Sequence, residues 1–593
     1  MMLHQDNIAV LDNGPSVAEK RKDSENLQAS NILYMKDSEI PIEEFIYFAK
    51  LSRARELSSP SQSRHITASS NATSSDGDAV DRSVKESGGG MAPLTCGEVE
   101  HLSRAESKKK PTPEAFAPLD ISEGEWTQAS RAARTATWVS IFYLITTDVL
   151  GPFSTGYAFS QMGLAPGVVL YTVFGALAGY SGFLLWRLFL QLDSDEHPLR
   201  GYSDLALRIY GPWFQHVCNI LQSFQFFLTV MVIMITNGQS ISQLSQNKLC
   251  FIISVLISAL AGCIIGQIRT LKNLGWVGSV SVFLNLFVIF ATMGVMAHSP
   301  PNYILYATTH PEFNIQAPDP VSVSITAPPE LTLVDNVNGL MNAVFSFGGA
   351  TMFVELMAEM RRPMDFWKGL LCADLLIFLC YMVYGIYCYV MQGQYAYINS
   401  YQGISPYNWQ TVCNTIELLT NVIAAVLYAN IGMKVLYNSV GRHFFRIPDL
   451  NSASGKWIWA FFVPVYWMLA WVVALSVPQI TSWTVLVGAG ALLQFTYTFP
   501  VFLALGFRAQ RDSALPEEVY DPLHRRVERV DHGLKRWVRG LRKELWWNIF
   551  DGVIYVGSLV TCVLGLYAGF KTLVEGYIDS PSLVGWQCSS PTG

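Results

Sequence analysis

The chain has 593 residues, 51% of them hydrophobic and only 15% charged, and its apolar residues fall in runs of about 20, the length that crosses a bilayer. This excludes a soluble globular domain and implies an all-α polytopic membrane protein that has the lipid bilayer as a partner and no nucleic acid. The formal net charge of -6 identifies no partner, because the information lies in where Lys and Arg fall relative to the apolar runs.

Residues 1–125 hold no spanning segment, and from 51 to 90 they are dominated by Ser, Asp, Arg and Gly, a composition that cannot bury a core. They read as a disordered cytoplasmic tail, followed by a transmembrane domain over 126–593. Within the tail, 42–57 (IEEFIYFAKLSRAREL) has the period of a short amphipathic helix, which could dock on the protein or the membrane but is expected to form only transiently. No basic-then-apolar signal peptide opens the chain, so insertion falls to the first true span. The apolar runs place about eleven spans, at 137–162, 167–191, 213–244, 249–267, 276–298, 336–360, 366–391, 411–436, 457–477, 481–506 and 547–571.

Loop charge orients them. The segments after even-numbered spans carry Arg187, Arg200 and Arg208; Arg269 and Lys272; Arg361, Arg362 and Lys368; Lys434, Arg442, Arg446 and Lys456; and a basic block at 525–543. The opposite loops 299–335 and 392–411 have neither Lys nor Arg. Positive charge stays cytoplasmic, so the N-terminus is expected inside and the C-terminus outside, and the sequon at Asn71 faces the cytosol. The ten cysteines show no CxxC spacing, and neither metal nor cofactor is expected. Cys250, Cys413 and Cys588 fall near the outer face, which leaves room for one disulfide.

The organising stretch is 336–363, NVNGLMNAVFSFGGATMFVELMAEMRRP. Gly348 and Gly349 interrupt it, each costing a helix about 1 kcal/mol relative to Ala, and a break at membrane depth survives only where protein buries it or it lines a cavity. A small-residue surface for helix packing is the competing reading of this segment taken alone. The first span is also interrupted, by Gly151, Pro152 and Gly156, and Pro removes a backbone donor. Two broken helices five spans apart run in opposite directions, which predicts a five-plus-five inverted repeat with broken helices 1 and 6 and a substrate held between them. Spans three (Asn219, Gln222, Thr229, Thr236), five (Gly278, Ser281, Asn285, Thr292) and eight (Asn414, Glu417, Asn421, Tyr428) each carry a polar face at helical spacing. For any one of these, glue between helices is the commoner explanation; three beside two breaks favour a central path.

The run 345–367, FSFGGATMFVELMAEMRRPMDFW, resembles the sixth-span signature of the amino acid/auxin permease family. Leu150-Gly151 with AFSQMG at 158–163 resembles the end of that family's first span, and RTLKNLGW at 269–276 its fourth loop. The resemblance runs from about Trp126 onward and identifies a divergent, fungal-type member: the family often has Pro where Gly156 and Val354 stand here. It implies a secondary active transporter of amino acids resident in the plasma membrane rather than the vacuolar membrane. An enzyme is not expected, since no catalytic His, metal cluster or activated nucleophile is evident; an amino-acid-sensing receptor without net transport is the alternative.

Freed backbone groups at the breaks supply the site. Amides of Phe153, Ser154 and Thr155, beside Gly151, are expected to hold the substrate carboxylate, as anions favour helix N-termini. Carbonyls of Phe345, Ser346 and Phe347, beside Gly348 and Gly349, are expected to hold its ammonium. Neutral polar residues and phenylalanines around the breaks favour a neutral amino acid. Asp148, at the carbonyl end of the first half-helix, is disfavoured as a bare anion by dipole and burial; a proton, a sodium ion shared with Thr147 and Asn421, or the substrate ammonium would each satisfy it. A hydrogen bond to span three or eight with no coupling role is the bland alternative. Glu355 reads as structural, Glu359 as part of an ion network with Arg361 and Arg362, and Asp374 as a partner for Lys368.

Overall fold

The computed structural model describes residues 40–58, 134, 136–268, 274–309, 313–437, 441, 447–448, 452–476, 480–531, 533–579 and 588. Their helices are α1 (Ile42–Ser58), α2 (Trp138–Val149), α3 (Thr155–Met162), α4 (Leu164–Leu192), α5 (Tyr202–Tyr210), α6 (Pro212–Leu244), α7 (Phe251–Ile265), α8 (Leu274–Met296), α9 (Tyr303–Thr309), α10 (Leu333–Ser346), α11 (Phe353–Glu359), α12 (Phe366–Gln392), α13 (Tyr407–Leu436), α14 (Ala453–Ser476), α15 (Ile480–Val487), α16 (Phe499–Arg511), α17 (Leu534–Lys543) and α18 (Leu545–Asp579). Nine helical stretches among the described residues are long and apolar enough to cross a membrane. The broken first span and the 15-residue α7 complete the eleven anticipated from the sequence.

The apolar faces of these helices sort into two buried clusters. Spans one, two, six and seven meet in one, around Ile141, Leu185, Val344 and Tyr384. Spans three, four, eight and nine meet in the other, around Met231, Val255, Ala429 and Trp467. Equivalent spans of the two halves share a cluster, as in an inverted five-plus-five repeat; spans five and ten add Val288 and Val501 to the first.

Small residues set the closest approaches. A Cβ on Gly339 of α10 would stand 2.6 Å from Met162 Cγ and 3.0 Å from the Ala158 carbonyl, so the two broken spans pack directly against each other. The loop 313–332 crosses the ends of spans one and two: the amides of Leu164 and Ala165 donate to the carbonyls of Ser324 (3.0 Å) and Ile325 (2.9 Å), capping the start of α4. At the head of α10, Thr332 and Asp335 form a reciprocal capping box.

Two expectations need correction, and one expected span departs from a regular helix. The segment read as a transient helix is α1, a packed element: Phe45 is fully buried, beneath the guanidinium of Arg208 at 4.5 Å, and Arg53 pairs with the buried Asp193 at 3.0 Å. Its charges had masked an apolar face that finds cover on the loops of the basic side; the rest of the proposed tail lies outside the described residues. Lys368 pairs with Asp365 at 2.6 Å, one helical turn away, while Asp374 faces Gly179 of span two. Span ten is not one regular helix: two π-helical stretches, Gly488–Leu492 and Gln494–Thr498, separate α15 from α16.

Candidate functional site

In the first span, α2 stops at Val149 and a 3-10 turn over Pro152–Ser154 leads into α3. The proline has no amide to extend the ladder, and the freed groups are taken up by neighbouring spans. The Tyr381 hydroxyl of span seven donates to the Val149 carbonyl at 2.7 Å and accepts from the Gly151 amide at 3.3 Å. Asn285 of span five donates to the Leu150 carbonyl at 3.0 Å. Ser400, in the loop after span seven, donates its amide to the Phe153 carbonyl at 3.0 Å. Thr155 is buried and turns its hydroxyl, at 2.6 Å, and its amide back to the Pro152 carbonyl, so this amide, expected to hold the substrate carboxylate, is already committed. The amides of Phe153 and Ser154, which open this turn, have no acceptor within it by helix geometry.

In the sixth span, α10 ends at Ser346, a 3-10 turn covers Ala350–Met352 and α11 begins at Phe353. The amide of Gly348 donates to the Phe345 carbonyl at 3.1 Å and that of Gly349 to the Phe347 carbonyl at 3.0 Å. Two of the three carbonyls assigned to the substrate ammonium therefore already accept one bond each. Ser346 donates its hydroxyl to the Asn342 carbonyl at 2.8 Å and lies 3.4 Å from the Tyr171 hydroxyl. Beyond the break, span three grips the half-helix: Gln225 bonds the Thr351 hydroxyl at 2.9 Å, and Gln222 donates to Glu355 at 2.9 Å. Glu355 also accepts the Tyr202 amide at 3.2 Å, which fits its structural reading. Glu359 acts through its carbonyl, which accepts the Ala136 amide at 3.1 Å, while the Arg361 amide returns a bond to Ala136 at 2.9 Å.

The two breaks meet at Asp148. A Cβ on Gly349 would stand 3.2 Å from Asp148 Oδ2 and 2.5 Å from Val149 Cγ2. The other carboxylate oxygen accepts a hydrogen bond from the Tyr428 hydroxyl of span eight. One carboxylate thus touches spans one, six and eight at once. The remaining residues proposed to share its cation are elsewhere: Thr147 donates to the Gly278 carbonyl at 2.8 Å, and Asn421 lies about 10 Å along span eight from Tyr428 at 1.5 Å per residue.

Aromatic rings close the site on both sides. Phe153 takes Tyr401 and Tyr384 edge-on at 5.0 and 5.8 Å; Phe347 lies 5.4 Å from Tyr381 and 6.1 Å from Tyr171. The sequence reading missed Tyr171, Tyr381, Tyr384 and Ser400. Their signal was present in span seven, where Tyr381, Tyr384, Gly385 and Cys388 fall at helical spacing, and was absent for Ser400, which reaches the site from a loop. Leu492, in the first π-helical stretch, is the other omission: it fills the space beside Gly348, and π-bulges recur at functional sites.

The sequence profile of the family described as transmembrane amino acid transporter protein matches residues 134–515. Among characterised proteins, the chain is similar to an N amino acid transport system protein of Neurospora crassa, 20% identical over 385 residues that cover 63% of this chain and 76% of that one. It is also similar to a transmembrane transporter of Gibberella moniliformis, 20% identical over 404 residues covering 66% and 80%. Among solved structures it is similar to a nucleobase-cation-symport-1 family transporter closed around bromovinylhydantoin (12% identity, TM-score 0.42, covering 78% of this chain and 96% of that one). A Na+-coupled sialic acid symporter compares at 10% identity and TM-score 0.44, covering 76% and 91%. The profile match extends over both broken spans and most of the membrane domain, and the chain belongs to the transmembrane amino acid transporter protein family.

Proposed function

We propose that this membrane transporter is a secondary active carrier of neutral amino acids, driven by a proton that Asp148 receives and releases. The observation that carries the reading is the contact of Asp148 with both breaks and with Tyr428. A group that touches the substrate site and a third span can be occupied differently as those spans move, and differential occupancy is what couples an ion to a conformational change. The residues around the two breaks are neutral: Ser154, Ser346 and Thr351 bear hydroxyls, and Phe153, Phe347 and Phe353 are apolar. An acidic side chain would lack a counter-charge there, and a dibasic one would compete with the proton for Asp148.

The proton is favoured over sodium by the oxygen donors. A sodium site wants several oxygens converging on one point, whereas the hydroxyl of Thr147 is committed to span five and Asn421 lies about 10 Å along span eight from Tyr428. The substrate carboxylate falls to the amides of Phe153 and Ser154. For the ammonium, the Ser346 carbonyl and the second lone pairs of the Phe345 and Phe347 carbonyls remain.

The N-terminus is placed in the cytoplasm and the carrier in the plasma membrane. Loop charge supports the first. So does the disulfide between Cys250 and Cys588, which joins two segments on the face opposite the basic loops, where an oxidising exterior would maintain it. The sensor reading draws on no observation in the structure. Uptake of labelled neutral amino acids into proteoliposomes, with an imposed proton or sodium gradient, tests the proposal: accumulation driven by the proton gradient is expected, and binding without accumulation under either gradient would overturn it.

A further inference from the structure

The segment between spans ten and eleven contains α17, LKRWVRGLRK, with five cations and no acid in ten residues. Two of the cations face the protein. Arg536 is buried and pairs with Glu518 at 2.6 Å; Arg539 pairs with Asp531 at 2.7 Å and donates to the Ser513 carbonyl at 2.6 Å. On the same side, Gly540 is pressed against the carbonyl of Ala509 in α16, where a Cβ would not fit. Lys543 has Asp512 at 3.9 Å. The nearby acid Glu544 is engaged by Arg511 at 3.3 Å. Lys535 and Arg542, both exposed, make no ion pair among the described residues. They lie seven residues apart, on one edge of the helix.

Beside that edge runs an apolar stripe. Leu534, Trp537, Val538 and Leu541 follow the i, i+3, i+4, i+7 spacing of a single face, and the first three are 84%, 37% and 47% exposed. The stripe is followed, after Glu544, by Leu545, Trp546 and Trp547, exposed at the start of span eleven. Span eleven is the least buried of the nine long apolar stretches among the described residues, and with Trp546 and Trp547 exposed at its head this end faces lipid. A helix ending one residue before a lipid-facing span lies at the level of the headgroups. A stripe of Leu, Trp and Val with cations along one edge is the pattern of a helix lying in the interface plane.

We propose that α17 is an interfacial helix that binds anionic phospholipid headgroups, with Lys535 and Arg542 as the headgroup ligands and Leu534, Trp537 and Val538 seated among the acyl chains. The lipid occupant follows from continuity with the lipid-facing surface of span eleven and from two cations that no protein acid neutralises. Because α17 is fastened to α16, a lipid bound here also holds the end of span ten that faces the basic side.

The test uses the full chain reconstituted with trace photoactivatable phosphatidylserine or phosphatidylcholine, the crosslinked peptides being mapped by mass spectrometry. The 534–547 region should be labelled several-fold more by phosphatidylserine. Replacing Lys535→Glu and Arg542→Glu together should reduce that preference about fivefold or more, since one cation near an anionic surface contributes about a factor of five. Labelling of the rest of span eleven reports that the double variant is folded. Arg187→Glu with Arg200→Glu, elsewhere on the basic side, should leave the preference intact. Equal labelling by the two lipids, an unaltered preference in the Lys535/Arg542 variant, or an equal loss in the control pair would overturn the proposal. Competition by soluble glycerophosphoserine would also overturn it, because the site would then be one for a free anion.

Discussion

Gly349 of the sixth span lies flush against Asp148 of the first, so that even a methyl group at residue 349 would stand 3.2 Å from the carboxylate and 2.5 Å from Val149. The absence of a side chain at one break is what admits the carboxylate of the other. Because the two residues sit on separate half-helices, any rotation of one span against the other changes the space around the Asp148 carboxylate.

Gly349→Ala should therefore act at the site itself. Overpacking of this kind costs about 1–3 kcal/mol, and Val149 is too stiff at χ1 to swing away. Uptake should fall about tenfold or more with normal surface abundance. Gly348→Ala meets Leu492 Cδ2 at 2.6 Å, the end of a flexible side chain, and should retain more activity. Equal, near-normal uptake by both variants would detach the break from the mechanism.

Asp148→Asn should abolish uphill accumulation and flatten the response to external pH while leaving exchange of bound substrate measurable. Tyr428→Phe removes one hydrogen bond to a charged group, worth about 1.5–3 kcal/mol, and should alter the pH profile without abolishing uptake. An Asn variant that still concentrates substrate with a normal pH profile would show that Asp148 has no coupling role.

The loop after span seven forms the cover over the first break. Tyr401 is 2% exposed and lies edge-on to Phe153, and truncating such a ring to Ala costs about 3 kcal/mol or more. Tyr401→Ala should loosen this cover and expose Cys388, now buried beside Gly156, to a membrane-impermeant thiol reagent when it is the only free cysteine. Unchanged protection would place the entry route elsewhere.

Phe45→Ala should lower thermal stability with little change in apparent substrate affinity, because α1 packs on Arg208 and His197 and contacts neither break. Asp193 would keep Arg134 at 3.0 Å, so the loop should remain folded. A large affinity change would assign α1 a place in the transport path.

Cys588→Ser should cost about 2–4 kcal/mol of stability and spare uptake. In intact cells, a membrane-impermeant reductant should open the wild-type bond, as the proposed external position of Cys250 and Cys588 requires. Protection from it until the membrane is permeabilised would reverse the orientation.

The spans and both breaks were legible in the sequence because bilayer length and the Gly and Pro interruptions are local properties. The polar face of span eight was also legible, and Tyr428 of that face is the residue that reaches Asp148. What escaped depends on contacts distant in sequence. Ser400 reaches the Phe153 carbonyl across 247 residues, and Tyr381 satisfies the groups freed around Pro152 from span seven. Asn421 was grouped with Asp148 on residue type alone, and rise along the helix separates them. The apolar face of α1 was diluted by Glu43, Glu44, Arg53 and Arg55, most of whose charges are spent on ion pairs with the loops. The π-helical stretches of span ten left no mark that periodicity detects.

The bond between Cys250 and Cys588 has a consequence for biogenesis. Its two ends are 338 residues apart, and eight spans, the fourth to the eleventh, are inserted between the synthesis of one thiol and the other. The fourth span must therefore reach the membrane with an unpaired cysteine at its head and wait for the ribosome to deliver the last helix. Any nascent chain stopped before residue 588 carries Cys250 as an unpaired thiol, open to disulfide exchange wherever its side of the membrane is oxidising. Formation of the bond thus reports that the eleventh span has been brought to the fourth.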